Sequence, residues 1–107
     1  MDNAEAHLDV IVPVSASVSP KNLTAYPGDD VKITCTSVGV PEPAVEWYKQ
    51  RNLLITQGRV SVSRTNLMIT QVQDSDSGKY ECLARHNYGL ASDWTYLSVV
   101  KKEGDFY

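Results

Sequence analysis

No run of apolar residues in this chain approaches the roughly 18 to 20 that a membrane-spanning helix needs. The opening MDNAEAHLDV also lacks the basic-then-apolar order of a secretory leader. Met1 reads as a start codon joined to an excised piece of a longer chain, so any leader or membrane anchor is expected in other parts of the parent. An excess of positive charge is missing too. Lys and Arg number 10 against 13 Asp and Glu, the formal net charge is -3, and the basic residues are scattered. Without a basic field to draw phosphates, nucleic acid is not an expected partner. Cysteine is scarce: Cys35 and Cys82 are too few for most structural zinc sites, and His7 and His86 are not spaced to complete one. The pair permits one intramolecular bridge. No nucleophile pattern stands beside His86, which reads as a solvated turn residue in RHNYG, and no glycine-rich phosphate loop follows a strand. The expectation is no enzyme activity, no cofactor and no metal.

Helical periodicity is also absent, and alternation with period two takes its place. At 107 residues, 42% apolar and 21% charged, the chain has the size and composition of one soluble domain. DDVKITCTS sets Val31, Ile33 and Cys35 against Lys32, Thr34 and Thr36, as a half-buried strand should. AVEWYKQ sets Val45 and Trp47 against Glu46, Tyr48 and Gln50. RVSVS offers Val60 and Val62, NLMITQV offers Leu67 and Ile69 with Val72, GKYECLA aligns Tyr80, Cys82 and Ala84, and TYLSVV aligns Leu97 and Val99. Turn signals separate these runs at Pro27-Gly28, Gly39 to Pro43, Arg51-Asn52, Gly58, Asp74 to Gly78, and Asn87 to Gly89. Short strands at this spacing predict an all-β, two-sheet sandwich.

The first residues behave differently. AEAHLDVIVP ends in a pattern like that of the last strand, and Pro13 interrupts it. Residues 1–13 are therefore expected to be a linker or the tail of a preceding domain in a tandem array, the alternative being one long first strand with a frayed end. Residues 14–100 are expected to form the complete unit, and 101–107 a C-terminal linker.

The stretch DSDSGKYEC places Gly78, Tyr80 and Cys82 on one side of a strand directly after two aspartates. If Cys82 points into a sandwich, Tyr80 does too, and its hydroxyl can reach back to backbone in the preceding turn. Gly78 permits tight backbone where the chain turns, and Asp76 can accept from turn amides. In DSDSG this local role outweighs a calcium site or an acid pair, because a hard cation wants more oxygen ligands than Asp74 and Asp76 supply.

Cys35, Trp47 twelve residues on, and Asp76-Ser77-Gly78-Lys79-Tyr80-Glu81-Cys82 together resemble the immunoglobulin superfamily. GVPEPAVEW, LMI before DSDSG, and ARHNYG after the second cysteine are most similar to the I-set, over about residues 18 to 100. The resemblance implies an antiparallel immunoglobulin-like sandwich in which one disulfide, Cys35–Cys82, joins the two sheets. Its core would hold Trp47, Tyr80, Leu67 and Ile69. It also implies an ion pair between Arg59 and Asp76, for which two solvated surface charges are the alternative. A disulfide of this kind persists outside the cytosol and is rarely kept inside it.

Two surface features remain. Asn22-Leu23-Thr24 is an N-glycosylation acceptor pattern. In an I-set arrangement, the parity opposite to Trp47, Cys82 and Leu97 sends Tyr48, Leu83, Trp94 and Tyr96 to the outer face of one sheet, edged by Glu46, Glu81 and Arg85. Aromatic anchors with a charged rim suit a protein interface. A bulge tucking Trp94 inward, or Tyr48 and Tyr96 covering each other, would remove it. The expected function is non-enzymatic recognition by an extracellular adhesion, receptor or matrix protein. Its partners would be a protein ligand, a homophilic copy, or neighbouring immunoglobulin-like domains of the same chain. The alternatives are a scaffolding module of an intracellular muscle-filament protein, or one module of a receptor tyrosine kinase whose enzyme lies elsewhere.

Overall fold

The computed structural model describes residues 10–100. The expected linker at 101–107, and the part of the expected preceding tail that includes His7, lie outside the described residues. Among the described residues alternation becomes nine strands: β1 (Val12–Ser19), β2 (Asn22–Ala25), β3 (Val31–Val40), β4 (Ala44–Lys49), β5 (Asn52–Leu53), β6 (Val60–Val62), β7 (Asn66–Ile69), β8 (Gly78–His86) and β9 (Gly89–Val99). They form a four-stranded sheet in the order β1-β3-β7-β6 and a five-stranded sheet in the order β2-β9-β8-β4-β5. Every named strand pairing is antiparallel except that of β2 with β9, which is parallel.

That exception follows from a crossing between sheets. β1 lies on β3, and Pro20, which has no N–H to extend a ladder, stands where the chain leaves that sheet for the other. The crossing is pinned from β9. The buried Thr95 hydroxyl lies 2.5 Å from both the Pro20 and the Lys21 carbonyls, and the Asp93 carboxylate accepts the Val18 N–H at 2.7 Å and pairs with Lys21. Pro13 does not end the first run. It falls within β1, and the register between Val12 and Ser15 shifts to accommodate it.

The second difference is a turn. β4 and β5 pair Lys49 with Asn52, so the loop is Gln50-Arg51 and not Arg51-Asn52. Both loop residues have positive φ, 49° and 76°, the geometry that matches the twist of a two-residue hairpin although neither residue is glycine.

Between the sheets, Val18, Ile33, Cys35, Trp47, Leu67, Ile69, Val72, Tyr80, Cys82 and Leu97 are each at most 2% exposed. Cys35 on β3 and Cys82 on β8 are bonded across the gap with Cα atoms 6.4 Å apart. Trp47 is in register with Cys82 on the neighbouring strand, and its indole N–H donates to the Ser63 carbonyl at 3.0 Å. The largest core side chain therefore rests beside the bridge with its one polar atom satisfied.

At the base of β8 the Tyr80 hydroxyl donates to the Asp76 carbonyl at 2.5 Å, which closes the turn Asp74–Asp76 back onto the strand. Burial, with the charge of Asp76, pushes this hydroxyl well above the ordinary tyrosine range. Gly78 has φ +146°, and a Cβ there would stand 3.3 Å from the Lys49 side chain. Arg59 and Asp76 are not two solvated charges. The guanidinium donates to both Asp76 oxygens, at 2.8 and 3.3 Å, and to the Thr70 and Gln71 carbonyls, both at 3.0 Å. Asp76 also accepts the Gln73 N–H at 2.8 Å. Burial alone would push the Asp76 carboxyl up, but the hydrogen bonds from Arg59 and Gln73 and the charges of Arg59 and Lys49 outweigh it and hold the group below the usual carboxylate value.

Two outcomes are expected. Replacing both Cys35 and Cys82 by alanine removes a link across a sequence separation of 47 residues and should lower stability by about 4 kcal/mol in the chain-entropy picture, read by urea unfolding. Because the Asp76 value is lower in the fold than in the unfolded chain, its contribution is fully present above about pH 4 and fades as pH falls through the folded value. The urea midpoint should therefore drop as pH is lowered below about 4, and Asp76→Asn should flatten that part of the profile; an unchanged slope would mean that the pair contributes nothing.

Candidate functional site

The face of the five-stranded sheet turned away from the core is built by parity. In β4, β8 and β9 the residues Trp47, Cys82 and Leu97 point inward, which sends Glu46 and Tyr48, Glu81 and Leu83, and Trp94 and Tyr96 outward. The β8–β9 register runs without a shift from Gly78 opposite Leu97 to His86 opposite Gly89, so no bulge tucks Trp94 inward. Trp94 is 44% and Tyr96 49% exposed, whereas Tyr48 and Leu83 are half-buried.

Register decides which of these residues meet. Tyr48 lies opposite Glu81, and Glu81 lies opposite Trp94, so Tyr48 and Trp94 are two strands apart, about 10 Å between backbones. Glu81 is therefore not at the rim; it divides the aromatic cluster. Tyr96 lies opposite Lys79 on one side and Asn22 on the other, so it does not pair with Tyr48. Leu83 stands between Glu46 and Ser92, diagonal to both Tyr48 and Trp94. The result is an aromatic half on β9 and a mixed half on β4 and β8, joined through Leu83.

Charged side chains hold both halves in place. Glu46 accepts from the Tyr48 hydroxyl at 3.1 Å and from the Arg85 guanidinium at 3.3 Å. The Glu46 hydrogen bond pushes the Tyr48 hydroxyl above its ordinary value, with desolvation and the negative charge of Glu46 adding to it. The Lys79 ammonium sits 4.7 Å from the centre of the Trp94 ring, a cation–π contact that fixes the indole.

Two participants were not read from the sequence. Leu53, in register with Tyr48 on edge strand β5, is 52% exposed and extends the mixed half. Lys79 was visible only as an outward residue of β8, with nothing to say that it would lie over a ring. Asn22 is exposed on β2, the outermost strand beside β9.

His86 is a correction. It ends β8 half-buried, not as a solvated turn residue: Nδ1 accepts the Tyr88 N–H at 3.1 Å, so the proton lies on Nε2, which donates to the Val12 carbonyl at 3.0 Å. The imidazole also meets Tyr88 edge-on at 5.8 Å. It ties the start of β1 to the β8–β9 turn. Among the described residues no cluster of three His, Cys, Asp or Glu is placed to hold a metal.

The model of the immunoglobulin I-set domain matches residues 14–99. A peroxidasin homolog of Mus musculus is 39% identical over 110 residues, spanning 95% of this chain and 7% of the relative. The netrin receptor DCC of Homo sapiens is 37% identical over 100 residues, spanning 92% of this chain and 7% of the relative. Among solved structures, titin domain M7 superposes with a TM-score of 0.74 over 86% of this chain and 98% of that one; at 20% identity this is a likeness of fold alone. The chain thus spans 7% of the length of these curated relatives.

Position on the two faces should separate the two tryptophans. Trp94→Ala is expected to lower stability by no more than about 1 kcal/mol, the value of an exposed cation–π contact, and Trp47→Ala by about 3 to 5 kcal/mol. Similar losses in chemical denaturation would place Trp94 in the core.

Proposed function

The chain belongs to the immunoglobulin I-set family, and on that premise we propose that it is a non-enzymatic protein-recognition module of an extracellular adhesion, receptor or matrix protein. The observation that carries this reading is the outer face of the five-stranded sheet. Tyr48, Leu83, Trp94 and Tyr96 stand there among Glu46, Glu81, Lys79 and Arg85, an arrangement of aromatic anchors with interspersed charge. Interfaces favour such surfaces, with a few aromatic side chains supplying most of the affinity.

Two further observations support the setting. A bonded Cys35–Cys82 pair suits an oxidising compartment, and a receptor stands among the relatives. At the pole where β1 begins, Val10, Ile11, Val38, Val40, Tyr88 and Leu90 are all exposed. Apolar side chains gathered at one end of a sandwich fit contact with a neighbouring domain of the same chain, in keeping with a reading of the residues before β1 as the approach from such a domain. The intracellular filament reading draws on the fold likeness to titin domain M7, and the disulfide weighs against it.

Alkylation without reductant should label neither cysteine in protein folded in a secretory host. Labelling of both would favour the cytosolic reading. Tyr48→Ala and Leu83→Arg should weaken self-association in sedimentation, or binding to intact cells, by about 30-fold, the weight of one anchor residue, and leave melting almost unchanged. Binding that survives both substitutions would move recognition off this face.

A further inference from the structure

We propose that Asn22 carries an N-linked glycan whose first sugar ring beds in the groove beside it, against Trp94 and Tyr96, so that the aromatic half of the outer face is a carbohydrate platform within the glycoprotein itself. The inference relies on the extracellular reading in one respect: Asn22 must meet the glycosylating machinery. It does not require the face to bind a protein.

Register makes the case. Asn22-Leu23-Thr24 lies on β2, with Asn22 and Thr24 exposed and Leu23 turned toward the core. β2 runs parallel to β9, and Asn22 is the direct partner of Tyr96. Paired residues of neighbouring strands leave the sheet on the same side. A sugar joined to Asn22 therefore starts beside the Tyr96 ring, with Trp94 the next outward residue of β9.

The receiving surface is already formed. Lys21, Asn22, Asp93, Trp94 and Tyr96 line an open groove of about 280 Å³. Two aromatic rings offer apolar faces for the C–H side of a pyranose. The Lys21 ammonium, exposed and held by its pairing with Asp93, offers a donor for the N-acetyl and hydroxyl groups. The Lys79 contact holds the Trp94 indole in place before any sugar arrives, so little side-chain freedom remains to be lost.

The size of the groove selects an attached occupant. Pockets that enclose a free ligand hold about 300 to 1,000 Å³ and bury most of its surface; this groove is smaller and open, so a free saccharide would gain little there. A ring bonded to Asn22 experiences an effective concentration of about millimolar or above, and weak contacts then suffice. The same glycan would cover the unpaired edge of β2, where strand addition would otherwise be possible. It would leave Leu53, Tyr48 and Leu83 open to a protein partner.

The test uses the whole chain expressed in a secretory host. Peptide mass should show a glycan at Asn22, absent from Asn22→Gln and from Thr24→Ala. The glycoprotein is then trimmed enzymatically to a single N-acetylglucosamine. Because Trp47 is 0% exposed, acrylamide quenching of fluorescence reads Trp94. The trimmed glycoform should lose most of that quenching relative to both sugar-free variants and melt about 4 °C higher. Trp94→Ala and Tyr96→Ala should each remove most of the melting increment without affecting glycan attachment. An occupied Asn22 with unchanged quenching and melting would overturn the bed while leaving the extracellular reading intact. An unoccupied Asn22 would overturn the glycan itself, again without touching the extracellular reading, which alkylation of Cys35 and Cys82 tests separately, and mass alone tells the two failures apart. Quenching that depends on protein concentration equally with and without sugar would give the groove to a second copy and overturn the inference.

Discussion

The bond between Cys35 and Cys82, with Trp47 beside it, is the constraint from which the rest of this domain follows. It joins the central strands β3 and β8 of the two sheets, and so settles which alternate residues of each strand face inward. In β8 that choice buries Tyr80, Cys82 and Ala84. Glu81 and Leu83 are thereby assigned to the other side, and cross-strand pairing passes the assignment on to Tyr48, Trp94 and Tyr96. A slip of one residue in any of these strands would exchange core for surface along its length. The geometry at the sulfurs and the composition of the exposed face are therefore one fact.

A second layer of polar contacts sets the strand ends that the bridge does not reach. Tyr80, Asp76 and Arg59 close the turn below β8. Thr95 and Asp93 hold the crossing from β1 to β2 at the opposite side of the five-stranded sheet. His86 fastens β1 to the β8–β9 turn. In each case a side chain satisfies backbone carbonyls or amides left over where a ladder stops, groups that are costly to leave unpaired when water is excluded.

Much of this was legible in the sequence, because a half-buried strand writes its orientation in alternation. Val31, Ile33 and Cys35, or Tyr80, Cys82 and Ala84, identify both a strand and its inward face without further information. The constellation around Cys35, Trp47 and Cys82 pointed to two sheets and to the family. What alternation cannot carry is position along neighbouring strands. The outer aromatics were readable as outward residues, but their separation by Glu81 depends on register, and so does the placement of Tyr96 beside Asn22. The crossing at Pro20 is not legible because β1 and β2 are each half of what reads as one irregular stretch. The hairpin at Gln50-Arg51 lies one residue from its sequence signal because its left-handed backbone occurs without the glycine or asparagine that usually marks it. His86 reads as solvated because its partners, the Val12 carbonyl and the Tyr88 amide, are backbone groups that no side-chain pattern reveals.

The parallel pairing of β2 with β9 has a mechanical consequence. β2 belongs to the first part of the chain and β9 to the last, and the two point the same way along their shared ladder from Asn22–Tyr96 to Ala25–Val99. Tension drawn between the two ends of the domain would pull the strands past one another lengthwise. The rungs would bear the load together and not open one by one as in a zipper. A module strung in series could in this way resist stretching at a single patch of backbone, far from the sulfur link that braces its middle.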